Sequence, residues 1–147
     1  MTAFCIGGAG RERVEVEVLG YERATVGDYH DDNWLQTRVS VSAGAFSGTY
    51  DAAFLTDELL RFRDELQVLY RSLRGEAQFS SLEEQLSLRL SGNGRGEVLL
   101  KGLAVDVAGT GNRLEFELLL DQTHLLLALE GLNEILSRFP VRDQSGT

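Results

Sequence analysis

The sequence predicts an α+β domain: an antiparallel β-meander of about six or seven strands, in one sheet or two, with two amphipathic helices packed on it. Three observations predict this class. Several short segments alternate apolar and polar residues with the period of two that a half-buried strand requires. Two longer segments repeat large apolar residues at spacings of three and four, the period of a helix. The strands follow one another in runs, which argues against a parallel, Rossmann-like sheet.

The first predicted strand spans residues 12–20, where Val14, Val16 and Val18 alternate with charged residues. This pattern is typical of a strand with one buried face and one face in water. The glycine-rich segment before it lacks the G-x-G-x-x-G spacing, and a strand rather than a helix follows it, so it is not predicted to bind phosphate. We expect residues 1–147 to form one domain, with 1–11 and the tail 143–147 flexible.

Two further strands are predicted after position 33, joined by a loop at Ala43-Gly44. In this pairing Val41 lies opposite Phe46, and Leu35 lies opposite Ala52. The register therefore keeps the apolar residues of both strands on a common side, as a half-buried sheet requires.

Two helices are predicted from apolar stripes and end signals. The first has Thr56 as its N-cap, two acids in its first turn, and Gly75 as its C-terminal cap. The second begins near Asp121 or Thr123 and ends before Pro140. Both stripes are too short for a coiled coil, so we expect them to pack on the sheet.

The second half of the chain predicts a weak strand at 77–80 and then a three-stranded meander. Its turns are placed at Asn93-Gly94, a strong hairpin signal, and at Thr110-Gly111. These turns give the following pairs: Leu88 with Leu99, Leu90 with Glu97, Val107 with Leu114, Val105 with Phe116, and Leu103 with Leu118.

Composition limits the partners that the chain can bind. It has 14 basic and 23 acidic residues, a formal net charge of -9. Nucleic acids and anionic membranes are bound through clustered Lys and Arg, so neither is expected as a partner, whereas a basic protein is favoured. Cys5 is the only cysteine, which excludes an intrachain disulfide. No signal peptide or bilayer-spanning run is found, and we expect a cytoplasmic protein.

The residues of known catalytic sites are not assembled in this sequence, and no cofactor is predicted. No G-x-S-x-G motif occurs, and His124 is interpreted as a partly exposed residue at the start of the last helix. The acidic loop around His30, with Asp28, Asp31 and Asp32, could bind a cation. Its spacing fits neither an EF-hand nor a zinc motif, so a solvated loop is favoured.

Trp34 is the most informative residue of the predicted outer face. It shares that face with polar residues, and a large aromatic ring there is either covered by a loop or free for a partner. Glu15 and Glu17 lie on the polar face of the first strand, where they either guard against edge aggregation or meet a basic partner. Arg13 on the same face offsets part of their charge.

A family resemblance covers nearly the whole chain, from about residue 12 to 142. Four short segments carry it, in this order: Asp31-Asp32-Asn33-Trp34-Leu35, Leu55-Thr56-Asp57-Glu58-Leu59, Ser81-Leu82-Glu83-Glu84 and Phe139-Pro140-Val141-Arg142. The first resembles the D-x-N-W-L signature of the WapI-type immunity family, whose members are paired with bacterial polymorphic toxins.

The resemblance implies a non-enzymatic protein that neutralises a toxin by occlusion, and two alternatives stay open. One is an interaction or structural domain of unknown partner, such as a homodimer through an exposed strand. The other is a metal-dependent enzyme that uses the 28–32 loop. The candidate partner-binding residues are Glu15, Glu17, Asp28, Asp31, Asp32 and Trp34.

Overall fold

The computed structural model describes residues 2–8, 11–24, 27 and 32–142. It confirms the α+β class, with eight strands and two helices in this part of the chain. Their bounds are β1 Ala3–Gly7, β2 Glu12–Tyr21, β3 Trp34–Ala43, β4 Phe46–Leu55, α1 Thr56–Ser72, β5 Arg74–Ser80, β6 Leu86–Asn93, β7 Val98–Val105, β8 Arg113–Leu120 and α2 Gln122–Arg138.

The strands form two antiparallel meanders, sheet A in the order β1-β2-β3-β4 and sheet B in the order β5-β6-β7-β8. Strand β1 lies in the segment that we expected to be flexible. Its Phe4 and Ile6 are fully buried and pair with Val16 and Val14 of β2, so two apolar side chains fix this short strand in the sheet.

One hydrophobic core joins both sheets and both helices. A chain of aromatic contacts runs through it. Phe54 of β4 lies 5.0 Å from Phe79 of β5, Phe79 lies 5.7 Å from Phe62 of α1, and Phe62 lies 6.0 Å from Phe4 of β1, measured between ring centroids. Edge-to-face rings stabilise by about 0.5–1.5 kcal/mol per pair beyond the area they bury. Helix α1 therefore holds the two sheets together.

The ends of α1 differ from those predicted. Its N-cap is Leu55 rather than Thr56, and the carboxylate of Glu58 accepts the Leu55 N–H at 2.8 Å. At the other end the C-cap is Leu73 rather than Gly75, and Leu73 takes the left-handed conformation, with φ 57°. The helix ends there because the chain turns directly into β5.

The α2 boundary agrees with the prediction. Asp121 is the N-cap, and its side chain accepts the backbone N–H of His124 at 3.1 Å. The His124 ring nitrogen Nδ1 in turn accepts the Asp121 N–H at 3.1 Å. His124 is thus part of a helix cap. Among the described residues, neither helix combines the length and the apolar composition that crossing a bilayer demands.

The hairpin of sheet A is shifted from the predicted pairing by two residues. The loop is Gly44-Ala45, with Gly44 at φ 62°, so Val41 lies opposite Gly48 and Leu35 opposite Phe54. A glycine with positive φ suits the first position of a two-residue hairpin loop. Because the shift is even, the buried face stays buried.

Both predicted registers of sheet B were wrong. Leu90 pairs with Leu100 rather than Glu97, and Val105 pairs with Arg113 rather than Phe116. Side-chain hydrogen bonds make both loops longer than a two-residue turn. The Asn93 side chain accepts the Arg95 N–H at 2.7 Å, and Asp106 accepts the Asn112 N–H at 2.7 Å. Each shift is odd, so β7 turns its other face to the core: Val98, Leu100 and Ala104 are buried, and Leu99 and Leu103 lie outside.

Candidate partner-binding surface

Three of the predicted partner-binding residues lie on one surface, the outer face of sheet A. Register and alternation place two rows of side chains across it, one from Cys5 through Glu15 and Ser40 to Thr49, the other from Ala3 through Glu17 and Arg38 to Asp51. Trp34 lies at the end of this face, on β3. The face is defined by the following residues: Ala3, Cys5, Arg13, Glu15, Glu17, Trp34, Gln36, Arg38, Ser40, Thr49, Asp51 and Ala53.

The charge of Glu15 is balanced within the face. Its carboxylate forms an ion pair with Arg13, whose guanidinium also donates to the sulfur of Cys5 at 2.9 Å. The Cys5 thiol donates to the Glu15 carboxylate at 3.4 Å, and burial raises the pKa of this thiol. Glu15 therefore offers little free charge to a partner.

Glu17 lies in the more open row. It is paired across the strands with Arg38, whose guanidinium is 3.5 Å from Asp51, and the Asp51 side chain is 80% exposed. Exposed ion pairs of this kind stabilise a fold by less than about 1 kcal/mol, so they can be rearranged at little cost when a partner binds.

Trp34 is half-buried and lines a surface depression of about 550 Å³. Glu22, Arg23, Ala53 and Glu83 form the rest of its lining. Two of these residues, Glu22 and Arg23, belong to the described part of the segment before β3, so this part flanks the indole. An amphipathic ring in a depression with charged walls is a suitable anchor for a partner side chain.

Asp32 differs from the expectation of an exposed acid. It is only 2% exposed, and its carboxylate accepts the Gly27 N–H at 2.8 Å, which closes the segment before β3. A buried carboxylate used in this way does not contribute to an exposed acidic surface. Asp28 and Asp31 lie outside the described residues, as does His30.

The first and last family-like segments are in contact. The Asn33 side chain, fully buried, accepts the Arg142 N–H at 2.7 Å and the Thr56 hydroxyl at 2.7 Å, and donates to the Arg142 carbonyl at 3.0 Å. The Arg142 guanidinium lies 3.4 Å from the centroid of the Tyr21 ring, a cation–π contact.

The two middle segments also meet, through Glu58. Besides capping Leu55, its carboxylate accepts the Leu82 N–H at 2.6 Å. Burial raises the pKa of Glu58, against the opposing effect of these two N–H donors. We call the network of Asn33, Thr56, Glu58, Leu82 and Arg142 the motif clasp. Its hydrogen bonds join segments that are far apart in the sequence.

Sequence reasoning missed the surface at the other end of β4. Phe46 was expected to face the core, but its side chain is 66% exposed. Beneath it lies an apolar pocket of about 240 Å³ whose lining includes Val41, Tyr50, Ala104 and Leu114. The alternation of β4 gave no sign of this, because whether a strand face is covered depends on elements elsewhere in the chain.

Within the described residues, no group of three His, Cys, Asp or Glu side chains is arranged to hold a metal ion. The 28–31 part of the cation-binding hypothesis lies outside these residues. A model of the Immunity protein WapI-like family matches residues 5–140, almost the whole chain. A search of curated proteins finds no match.

Proposed function

The chain belongs to the WapI-like immunity protein family, and we propose that it is a non-enzymatic protein that binds a cognate bacterial toxin and neutralises it by covering the toxin's active surface. The family match is the observation that carries this proposal. Its support is structural as well: an occluding protein needs a firm surface of its own, and the strands of sheet A are braced by a core shared with sheet B.

The outer face of sheet A is the proposed contact surface. Glu17 and Trp34 are its main contributors, because the one lies in an exposed charged row and the other lines a depression. Glu15 contributes less, since Arg13 already neutralises it. Asp28 and Asp31 remain candidates from the sequence alone. The net charge of -9 favours a basic toxin domain through steering of the encounter.

The proposal is tested with candidate cognate toxin domains, beginning with any that is encoded beside the gene for this chain. The purified chain is expected to retain that domain in a pull-down and to inhibit its activity at a stoichiometric ratio. Binding should weaken as salt is raised, because screening reduces the attraction between an acidic and a basic protein. A toxin domain that is neither retained nor inhibited at low salt would contradict the proposal.

Substitutions then test the surface. Glu17→Lys and Trp34→Ala are each expected to weaken toxin binding by about tenfold. Glu115→Lys is the matched control, since it makes the same charge change on the outer face of sheet B. Equal losses for Glu17→Lys and Glu115→Lys would show an effect of overall charge and would remove sheet A as the contact surface.

The metal-dependent alternative makes a different prediction. It requires bound metal in the purified protein, or a thermal shift when divalent cations are added. Elemental analysis without metal, together with an unchanged melting temperature, would exclude it.

A further inference from the structure

The two sheets have four edge strands, β1 and β4 in sheet A and β5 and β8 in sheet B, and these edges are protected in different ways. An edge strand presents unpaired N–H and C=O groups that can pair with another chain, and proteins protect such edges with a covering element or with charge. Each edge strand therefore needs a covering element or charged side chains if it is not to pair with another chain.

Helices protect the first two edges. Helix α2 lies along β1 so closely that a Cβ at Gly131 would be 2.5 Å from the Ala3 carbonyl oxygen. Helix α1 lies along β5, where the Glu65 carboxylate accepts the backbone N–H of Gln78 at 2.9 Å. Neither edge is free to accept a strand.

Charge protects the third edge. Strand β8 has Arg113, Glu115 and Glu117 at alternate positions, all exposed. An incoming strand would have to accommodate three charged side chains on the same face, an arrangement typical of edges that resist pairing.

Within the part of the chain that the structure describes, the fourth edge, strand β4, has neither a covering helix nor charged side chains in its first half. From Phe46 to Tyr50 the strand contains no charged residue and no proline, and its first four residues are all exposed. Among the described residues its one strand neighbour is β3. The open stretch ends at Asp51, whose carbonyl accepts the Gln85 side-chain amide at 3.3 Å.

The apolar pocket lies directly beside this open edge. Side chains of a strand alternate between its faces, so Phe46, Gly48 and Tyr50 point to the same side and line the pocket together. The Tyr50 hydroxyl donates to the Gln85 carbonyl at 2.6 Å, which fixes its ring in place. A strand added to β4 would place every second side chain over the pocket.

We propose that the toxin contributes an extended segment that pairs with the Phe46–Tyr50 edge of β4, and that an apolar side chain of this segment fills the adjacent pocket. This inference rests on the proposed function and names the element that receives the toxin. The backbone hydrogen bonds of the added strand supply affinity, and the pocket supplies specificity.

Charge favours a toxin over a second copy of this chain as the occupant. Two copies would each bring a net charge of -9, so like charges oppose their association, whereas a basic toxin is attracted. A symmetric pairing of two β4 strands would give a dimer, which light scattering detects.

Gly48 provides the sharpest test. Its backbone has an ordinary φ, and a Cβ built there meets no atom within 4 Å, so a longer side chain fits without strain and occupies the pocket. Gly48→Lys and Gly48→Glu are both expected to weaken binding of the cognate toxin domain by about tenfold or more, whatever the sign of the charge. Ser80→Lys, an exposed site on the covered edge β5, is the matched control and should change affinity less than twofold.

Hydrogen exchange gives an independent measurement on the unmodified chain. Amides of residues 46–50 should become protected when the toxin domain binds. Toxin binding without this protection, or binding unaffected by both Gly48 variants, would overturn the inference while leaving the proposed function intact. A concentration-dependent dimer that protects the same amides without toxin would also overturn it. Complete failure of the toxin to bind would refute the proposed function itself.

Discussion

The two halves of strand β4 lie in opposite environments. From Ala52 to Leu55 the strand is largely buried, and Phe54 packs on Phe79 of the other sheet. From Phe46 to Tyr50 the same strand lies mostly in solvent beside an open pocket. Strand propensity does not explain this difference, because both halves pair with β3 in one continuous register.

The difference comes from what surrounds each half. The buried end continues into α1 and adjoins the motif clasp, where side chains from distant parts of the sequence bond to one another. At the hairpin end no described helix covers the strand edge. The buried end of β4 therefore contributes to the stability of the fold, whereas the hairpin end is, by our proposal, the part that binds the partner.

The largest expected effect comes from paired phenylalanine substitutions in the two halves. Phe54→Ala should lower the free energy of unfolding by about 3–5 kcal/mol, because it leaves a cavity in the aromatic contact between the sheets. Phe46→Ala removes a ring that is 66% exposed, so the free energy of unfolding should change by less than about 0.5 kcal/mol. Urea denaturation measures both. Comparable losses of unfolding free energy would show that the hairpin end is covered in solution, and that the two halves of β4 do not differ in burial.

Asn33→Ala tests the clasp with a smaller effect. It removes three hydrogen bonds of a fully buried side chain and leaves backbone groups of Arg142 without partners. We expect a loss of about 2–3 kcal/mol in unfolding free energy. Asn133→Ala is the control, since Asn133 is exposed and accepts one bond from Arg63. If both variants lose the same unfolding free energy, the clasp does not stabilise the end of β4 that continues into α1.

The buried faces of β2, β3 and β4 in sheet A could be predicted from the sequence better than that of β7 in sheet B, although β1 was not predicted. Valines at alternate positions of β2 admit one choice of buried face, and the error of two residues in the next hairpin left that choice unchanged. Strand β7 has leucines on both faces, so alternation does not decide which face is buried. The loops that set its register depend on hydrogen bonds of Asn93 and Asp106, which a turn motif does not reveal.

The candidate surface was predictable only where it depends on the period of a strand. Alternation was sufficient to place Glu15, Glu17 and Trp34 on one outer face. It could not show that Asp32 turns inward, because that depends on a hydrogen bond to Gly27 across a loop. The exposure of Phe46 likewise depends on which elements lie over the strand, and among the described residues none covers its side chain, a property of the assembled fold.

The ionisation of Glu58 in the motif clasp should change the free energy of unfolding less than either Phe54→Ala or Asn33→Ala does. Because burial raises its pKa above the usual 4.5, the folded chain holds a proton that the unfolded chain releases. Stability that depends on this proton is present below pH 4.5 and is lost as pH rises through the higher folded pKa.

Glu58→Gln cannot ionise, so the difference in unfolding free energy between the original chain and this variant isolates the carboxyl group. That difference should fall by less than about 1 kcal/mol between about pH 4 and pH 7, since solvent reaches the site and screens it. The amide oxygen accepts one of the two N–H donors rather than both, and it does so at every pH, so the variant is a reference that does not titrate. A difference that grows with pH would mean that the two backbone N–H groups outweigh burial and hold the carboxylate ionised, in which case the clasp is an anion site rather than a buried carboxylic acid.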